Sequence, residues 1–226
     1  MSYLIVVAHP DDEVLGAGAT IYNLTKNGYE VNVCILSSEV RARNNRPDDD
    51  EFYKNIEASS KILGINKMIN GNFPNIELNT VPHLQLVQFI EKAILDTKAE
   101  VVITHHPSDV NNDHLHTALA CQAAVRIFQR KKNVGLLKEF LYMEVASSTD
   151  WNLNTTINGF KPNMFFEIGE TGLEKKIEAL SEYYGVIKEY PHPRSIEALK
   201  ALAVYRGAQS NMRYAEAFES VFRSGF

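Results

Sequence analysis

An apolar run at residues 3–8 stops abruptly at His9-Pro10-Asp11-Asp12-Glu13, and a segment of helical periodicity follows at once. A short apolar run bounded by proline and polar residues reads as a buried strand. Pro10 cannot extend a ladder, so the strand ends there. Residues 13–27 read as a helix closed by Gly28. One imidazole and two carboxylates are therefore crowded into the turn between a core strand and its helix, which in open α/β sheets is where ligands sit. Capping accounts for one of these carboxylates, with Glu13 as a first-turn acid favoured by the helix dipole. It does not account for two carboxylates and a histidine together, because adjacent acids repel unless a cation or a shared proton relieves them.

The remaining periodicity alternates in the same way. Strands are expected at residues 30–36, 65–69, 100–104, 140–145 and 163–168. Helices are expected from the acids at 48–50 to residue 63, from Pro82 onward, from Asp113 to about 129, and over 169–187. Further helices are expected from Ser195 to about 207 and, last, over 214–222. Strands alternating with helices predict an α/β fold: three layers, Rossmann-like, with a mostly parallel sheet and right-handed crossovers. No repeat, low-complexity tract or linker interrupts residues 1–226, so a single domain is expected. A strand order of 3-2-1-4-5 would set the first and fourth strands side by side. The turn at residues 9–13 would then face the second polar cluster, THHPSDVNNDHLHT at residues 104–117, which holds four of the seven histidines.

Composition narrows the class. Hydrophobic content of 45% with 23% charged residues suits a globular protein with a real core. A formal net charge of −5 leaves no electrostatic footprint for nucleic acid. No apolar stretch approaches a membrane span, and no secretory leader is visible. Cys34 and Cys121 read as buried free thiols of a reducing compartment. The expected setting is cytoplasmic, and oligomeric state leaves no mark in the sequence.

Two imidazoles and one carboxylate with a vacant position form the donor set of catalytic zinc, although Fe2+, Co2+ or Mn2+ also accept nitrogen and oxygen donors. His9, Asp12 and His114 are the expected ligands. Asp11 then stands beside the ion as general base toward an activated water. Asp113 is expected to orient an imidazole and is grouped with the catalytic residues.

The AHPDDE turn, the Asp-His pair after THHPSD, and the YPHPRS and YAEAF segments together resemble the PIG-L/LmbE-like metal-dependent N-deacetylases, over essentially the whole chain. The resemblance implies a Rossmann-like fold and a divalent ion, usually zinc. It also implies removal of acetyl groups from N-acetylglucosamine-type amides, so the expected partner is a small N-acetylated sugar. By position, the family's ligands fall on His9, Asp12 and His114 and its base on Asp11. One departure stands out: several relatives carry His-x-Asp-His, whose first histidine steadies the oxyanion and protonates the amine, and here that position is Asn111. An amide can donate to an oxyanion but supplies no acid, so the expected replacement is His192 or the protonated Asp11 itself, with His192 preferred and His106 and His116 behind. Arg46 and Arg194 are the expected substrate contacts, with Arg41 and Arg43 read as a solvated loop.

Three rival readings remain. Gly16-Ala17-Gly18 gives a GxG after the first strand, as in a dinucleotide-binding module. The third glycine is missing, however, and the acids occupy the helix end a pyrophosphate needs, so close helix–sheet packing accounts better for these small residues. The others are a non-catalytic sugar- or metal-binding relative, and a hydrolase of another amide or a phosphoester.

Overall fold

The computed structural model describes residues 1–38, 49–132, 134–153 and 158–225. Its sheet has seven strands: β1 (Ser2–Val7), β2 (Glu30–Ile35), β3 (Lys67–Asn70), β4 (Val101–His105), β5 (Glu139–Met143), β6 (Met164–Glu167) and β7 (Ala215–Arg223). Their order is β3-β2-β1-β4-β5-β7-β6. The first five are parallel, and β7 runs antiparallel to both neighbours. The helices are α1 (Asp12–Lys26), α2 (Asp49–Leu63), α3 (His83–Thr97), α4 (Asn112–Ala124), α5 (Ile127–Arg130), α6 (Gly169–Ser181) and α7 (Ile196–Ser210).

The strand β1 shows why its sequence is apolar throughout rather than alternating. Tyr3, Ile5 and Val7 enter the core beneath α1, α2, α6 and α7, whereas Leu4, Val6 and Ala8 enter the core beneath α3 and α4. A strand buried on both faces has no polar side to show. Tyr3 pairs with Val31 of β2 and with Val101 of β4, so β1 is the axis of the sheet. Gly28 (φ 80°) and Gly64 (φ 71°) take the left-handed turns that end α1 and α2. Cys34 and Cys121 are buried and unpaired. Among the described residues no helix is long and apolar enough to cross a membrane.

The structure corrects several expected elements. The helix expected to run to residue 129 breaks after Ala124, and the one expected to reach 187 ends at Ser181. The larger correction is at residues 214–222, which form β7 and not a helix. Ala217, Phe218, Val221 and Phe222 can share a helical face, but pairing to β5 and β6 together satisfies the backbone on both sides and overrides that pattern. Tertiary context decides the state of so short a segment.

The strand β7 also reaches into α1. The Glu216 carboxylate accepts the Ala19 and Thr20 N–H groups at 3.2 and 2.7 Å, and Lys176 Nζ donates to Glu216 at 2.6 Å and to the Leu15 carbonyl at 2.7 Å. This buried ion pair ties α1, α6 and β7 together. Small residues let α1 approach: a Cβ on Gly16 would lie 2.4 Å from Met143 Sδ. The glycines after β1 therefore serve packing, as the sequence argued.

Phe218 is fully buried between the strands and the first core. Phe218→Ala is expected to cost about 3–5 kcal/mol of stability by urea denaturation. A loss below about 1 kcal/mol would contradict a packed central β7.

Candidate active site

The C-terminal ends of β1 and β4 lie side by side, and their following helices depart to opposite faces of the sheet. This is a topological switch point, where open α/β sheets leave a crevice. The two polar clusters meet there. His9 Nδ1, Asp12 Oδ2 and His114 Nε2 converge: Asp12 Oδ2 lies 3.3 Å from the first nitrogen and 3.2 Å from the second. The ligand atoms of these three residues all lie within 4.8 Å of one another, and all three side chains are buried.

Each imidazole is held by a carboxylate on its far nitrogen. His9 Nε2 donates to Asp113 Oδ2 at 3.0 Å, and His114 Nδ1 faces Asp109 Oδ2 at 3.0 Å. With those nitrogens carrying protons, the lone pairs of His9 Nδ1 and His114 Nε2 aim into the cluster. His114 Nε2 is buried and has no hydrogen-bond partner, although Asp12 is close. A buried, orphaned nitrogen among nitrogen and oxygen donors is what a divalent cation would satisfy.

Neither helix start uses its acids as the simple capping account requires. Asp11 occupies the N-cap of α1, yet its side chain makes no capping bond; its carbonyl instead accepts the Val14 and Leu15 N–H groups. Asp12 Oδ2 folds back to accept the His9 N–H at 3.0 Å. On α4, Asn111 Oδ1 caps the Asp113 N–H at 2.9 Å. That leaves the Asp113 carboxylate to accept the Ile76 and Leu78 N–H groups besides His9. With its oxygen committed, Asn111 keeps its amide N–H groups as donors.

Asp11 has φ 101° and ψ −29°, a conformation that costs a non-glycine residue about 1–3 kcal/mol. Its carboxylate is buried and lies 3.8 Å from Arg194 Nη1. Arg194 is fixed in turn by its Nε, which donates to Ser147 Oγ at 2.8 Å. His192 Nδ1 accepts the Arg194 backbone N–H at 3.0 Å, so Nε2 carries the proton of the neutral ring. Arg41, Arg43 and Arg46 lie outside the described residues. His106 points elsewhere, between Tyr142 and Phe160 with Glu219 at 3.4 Å.

Burial and charge act against each other across the cluster. Burial pulls the His9 pKa down, but its hydrogen bonds to Asp113 and Asp12 outweigh this and raise it to about 9. Burial likewise opposes protonation of His114, and Asp12 with Asp109 raises its pKa to about 10. Burial disfavours the Asp12 anion, yet the His114 charge holds its pKa well below the usual carboxylate range. Glu13 is pushed up to about 8, first by burial.

The sequence did not single out His105, Asp109 or Tyr183. His105 stacks on His114 with centroids 3.8 Å apart and planes 13° apart. His105, Asp109 and His114 also fall within ligating distance of one another. Nearly parallel rings, however, send their in-plane lone pairs side by side, and His105 Nε2 already accepts the Ala8 N–H at 2.9 Å. Those residues support the first cluster instead. The THHPSD string was a visible signal for Asp109; none marked Tyr183.

The family model described as PIG-L, GlcNAc-PI de-N-acetylase, matches residues 4–125, more than half of the chain. The chain belongs to the PIG-L family. A curated relative of this chain, the uncharacterized deacetylase YaiS of Escherichia coli (strain K12), is 27% identical over 188 residues, covering 80% of this chain and 89% of YaiS. The fold is similar to that of N,N'-diacetylchitobiose deacetylase from Pyrococcus horikoshii, at TM-score 0.75 and 20% identity over 97% of this chain and 83% of that one. It is equally similar to GalB, the 4-carboxy-2-hydroxymuconate hydratase from Pseudomonas putida KT2440, at TM-score 0.79 and 21% identity over 100% and 98% of the two chains.

In the metal-free protein, the raised His9 and His114 values stabilise the fold fully below about pH 6.5, and that contribution is lost as pH rises through about 9 and 10. Cation uptake at neutral pH must then expel protons, about two per ion. Zn2+ titration calorimetry in buffers of different ionisation enthalpy is expected to show this release, and to show affinity weakening as pH falls. Buffer-independent heats would refute the assignment.

Proposed function

We propose that this chain is a metal-dependent N-deacetylase of an N-acetylglucosamine-type sugar, with His9, Asp12 and His114 as metal ligands and Asp11 as general base. The observation that carries the reading is the orphaned His114 Nε2, aimed at Asp12 and His9 with the Asp11 carboxylate in the same turn. The family match supports amide hydrolysis, since the fold alone is shared with a hydratase. The chitobiose deacetylase supports a sugar substrate. Zn2+ suits the donor set best, with Fe2+, Co2+ or Mn2+ as alternatives.

A divalent ion held there supplies the Lewis acidity that polarises an amide carbonyl and acidifies a water. The chain supplies the rest. Asp11 accepts the proton of the attacking water at its carboxylate. The amide N–H groups of Asn111 are the donors to the developing oxyanion. The proton that Asp11 took from water passes on to the departing amine nitrogen, and the His192 ring is assigned beside that amine, its Nε2 free of the Arg194 N–H that occupies Nδ1. Asp113 and Asp109 keep the two ligand imidazoles in the required tautomer. Arg194, braced by Ser147, and Arg46 are assigned to the hydroxyl or anionic groups of the substrate. The whole is read as one domain over residues 1–226.

Acetate release from N-acetylglucosamine and its glycosides, with and without chelator, tests this. Asp11→Asn is expected to lower kcat on the order of 100- to 10,000-fold while metal is retained. Asp12→Ala or His114→Ala is expected to lose the metal itself. Chelator-insensitive turnover, or no acetate from any member of the panel, would defeat the proposal.

A further inference from the structure

Asp11 keeps a backbone conformation that a non-glycine residue holds only when its surroundings impose it. One restraint comes from the helix itself, because the Asp11 carbonyl accepts the first N–H groups of α1. A second comes from Glu13. Its Oε2 reaches back to accept the Asp11 N–H at 3.1 Å, much as the acid of a capping box serves the N-cap amide. The other oxygen, Oε1, accepts the hydroxyl of Tyr183 at 2.6 Å. Tyr183 lies in the turn that follows α6, and both it and Glu13 are buried. A carboxyl group fixed at both oxygens cannot rotate away from the amide it holds. Burying an acid directly behind Asp11 and Asp12 is costly, and simple helix initiation does not require it, since an exposed first-turn acid serves the dipole equally well.

We infer that Tyr183 and Glu13 are a positioning pair: Tyr183 fixes Glu13, and Glu13 holds the Asp11 N–H so that the Asp11 carboxylate stays turned toward Arg194 and away from capping duty. The inference rests on Asp11 being the general base. The pair touches no reacting atom, and it acts through the Asp11 backbone. Its effect therefore falls on turnover and not on substrate binding or metal content.

Three variants of the full chain test it: Glu13→Ala, Glu13→Gln and Tyr183→Phe. Glu13→Ala removes the acceptor and is expected to lower kcat about 100-fold, the scale of an ångström-level misplacement of a reacting group. KM and Zn2+ stoichiometry are expected to stay within about twofold. Glu13→Gln keeps an acceptor oxygen for the Asp11 N–H and is expected to recover kcat to within about tenfold of the native chain. Tyr183→Phe preserves the buried ring, deletes only the hydroxyl and is expected to lose about tenfold; it carries the test if Glu13→Ala does not fold. A crystal structure of Glu13→Ala, or of Tyr183→Phe should Glu13→Ala not fold, adds a readout independent of activity, with Asp11 in that variant expected to leave the positive-φ region it holds in the native chain. Unchanged kcat, parallel loss of metal and activity, or Asp11 still at φ near 100° would each overturn the inference. Should the native chain release no acetate from any substrate, the deacetylase reading fails by itself. The positioning pair is then decided by the Asp11 backbone alone, displacement supporting it and persistence refuting it.

Discussion

A single oxygen atom organises this protein. Asp12 Oδ2 lies 3.0 Å from the His9 backbone nitrogen, 3.3 Å from His9 Nδ1, 3.2 Å from His114 Nε2 and 3.6 Å from His105 Nε2. Gathering so many nitrogens around one buried carboxylate is feasible only where opposite charges are paired and the remaining polar atoms find partners. The sheet order meets the first condition by setting β1 against β4, so that residues a hundred positions apart share one crevice. For the outer nitrogens of the two rings, Asp109 after β4 and Asp113 in the first turn of α4 meet the second, and the inward His114 Nε2 is left for a cation.

The acids of the site are available for chemistry because other residues do the routine work of starting helices. Asn111 caps α4 and Ser195 caps α7, each through its side-chain oxygen. In α1, the backbone carbonyl of Asp11 and the carboxyl of Glu13 take over what an ordinary N-cap side chain would do. A helix N-terminus normally consumes one acid for its orphan amides. Here that demand has been redistributed, and the cost is carried as strain at Asp11.

The sequence made legible what local chemistry determines. The run before His9, the proline that stops it and the glycine that ends α1 place the first crossover almost to the residue. The histidines after β4 fall where the 3-2-1-4-5 order puts them. Features that depend on distant partners were not legible. Residues 214–222 have a helix-compatible pattern, and only the two flanking strands make them β7. Tyr183 is 170 positions from Glu13, and no local periodicity announces their bond. His105 stood in plain view at a strand end. Its role as a platform stacked on His114 depends on ring geometry that spacing cannot convey.

The placement of β7 has a consequence for how the molecule is made. As the edge strand, β6 hydrogen-bonds to β7, which follows it in the chain, and Glu216 of β7 also grips the middle of α1. During synthesis the nascent β6 therefore emerges from the ribosome before its sheet neighbour exists. The turn that carries His9 and Asp12 is translated well before β7, so its helix can gain the Glu216 anchor only once β7 has been made. Vectorial synthesis thus delivers the securing strand long after the turn it secures.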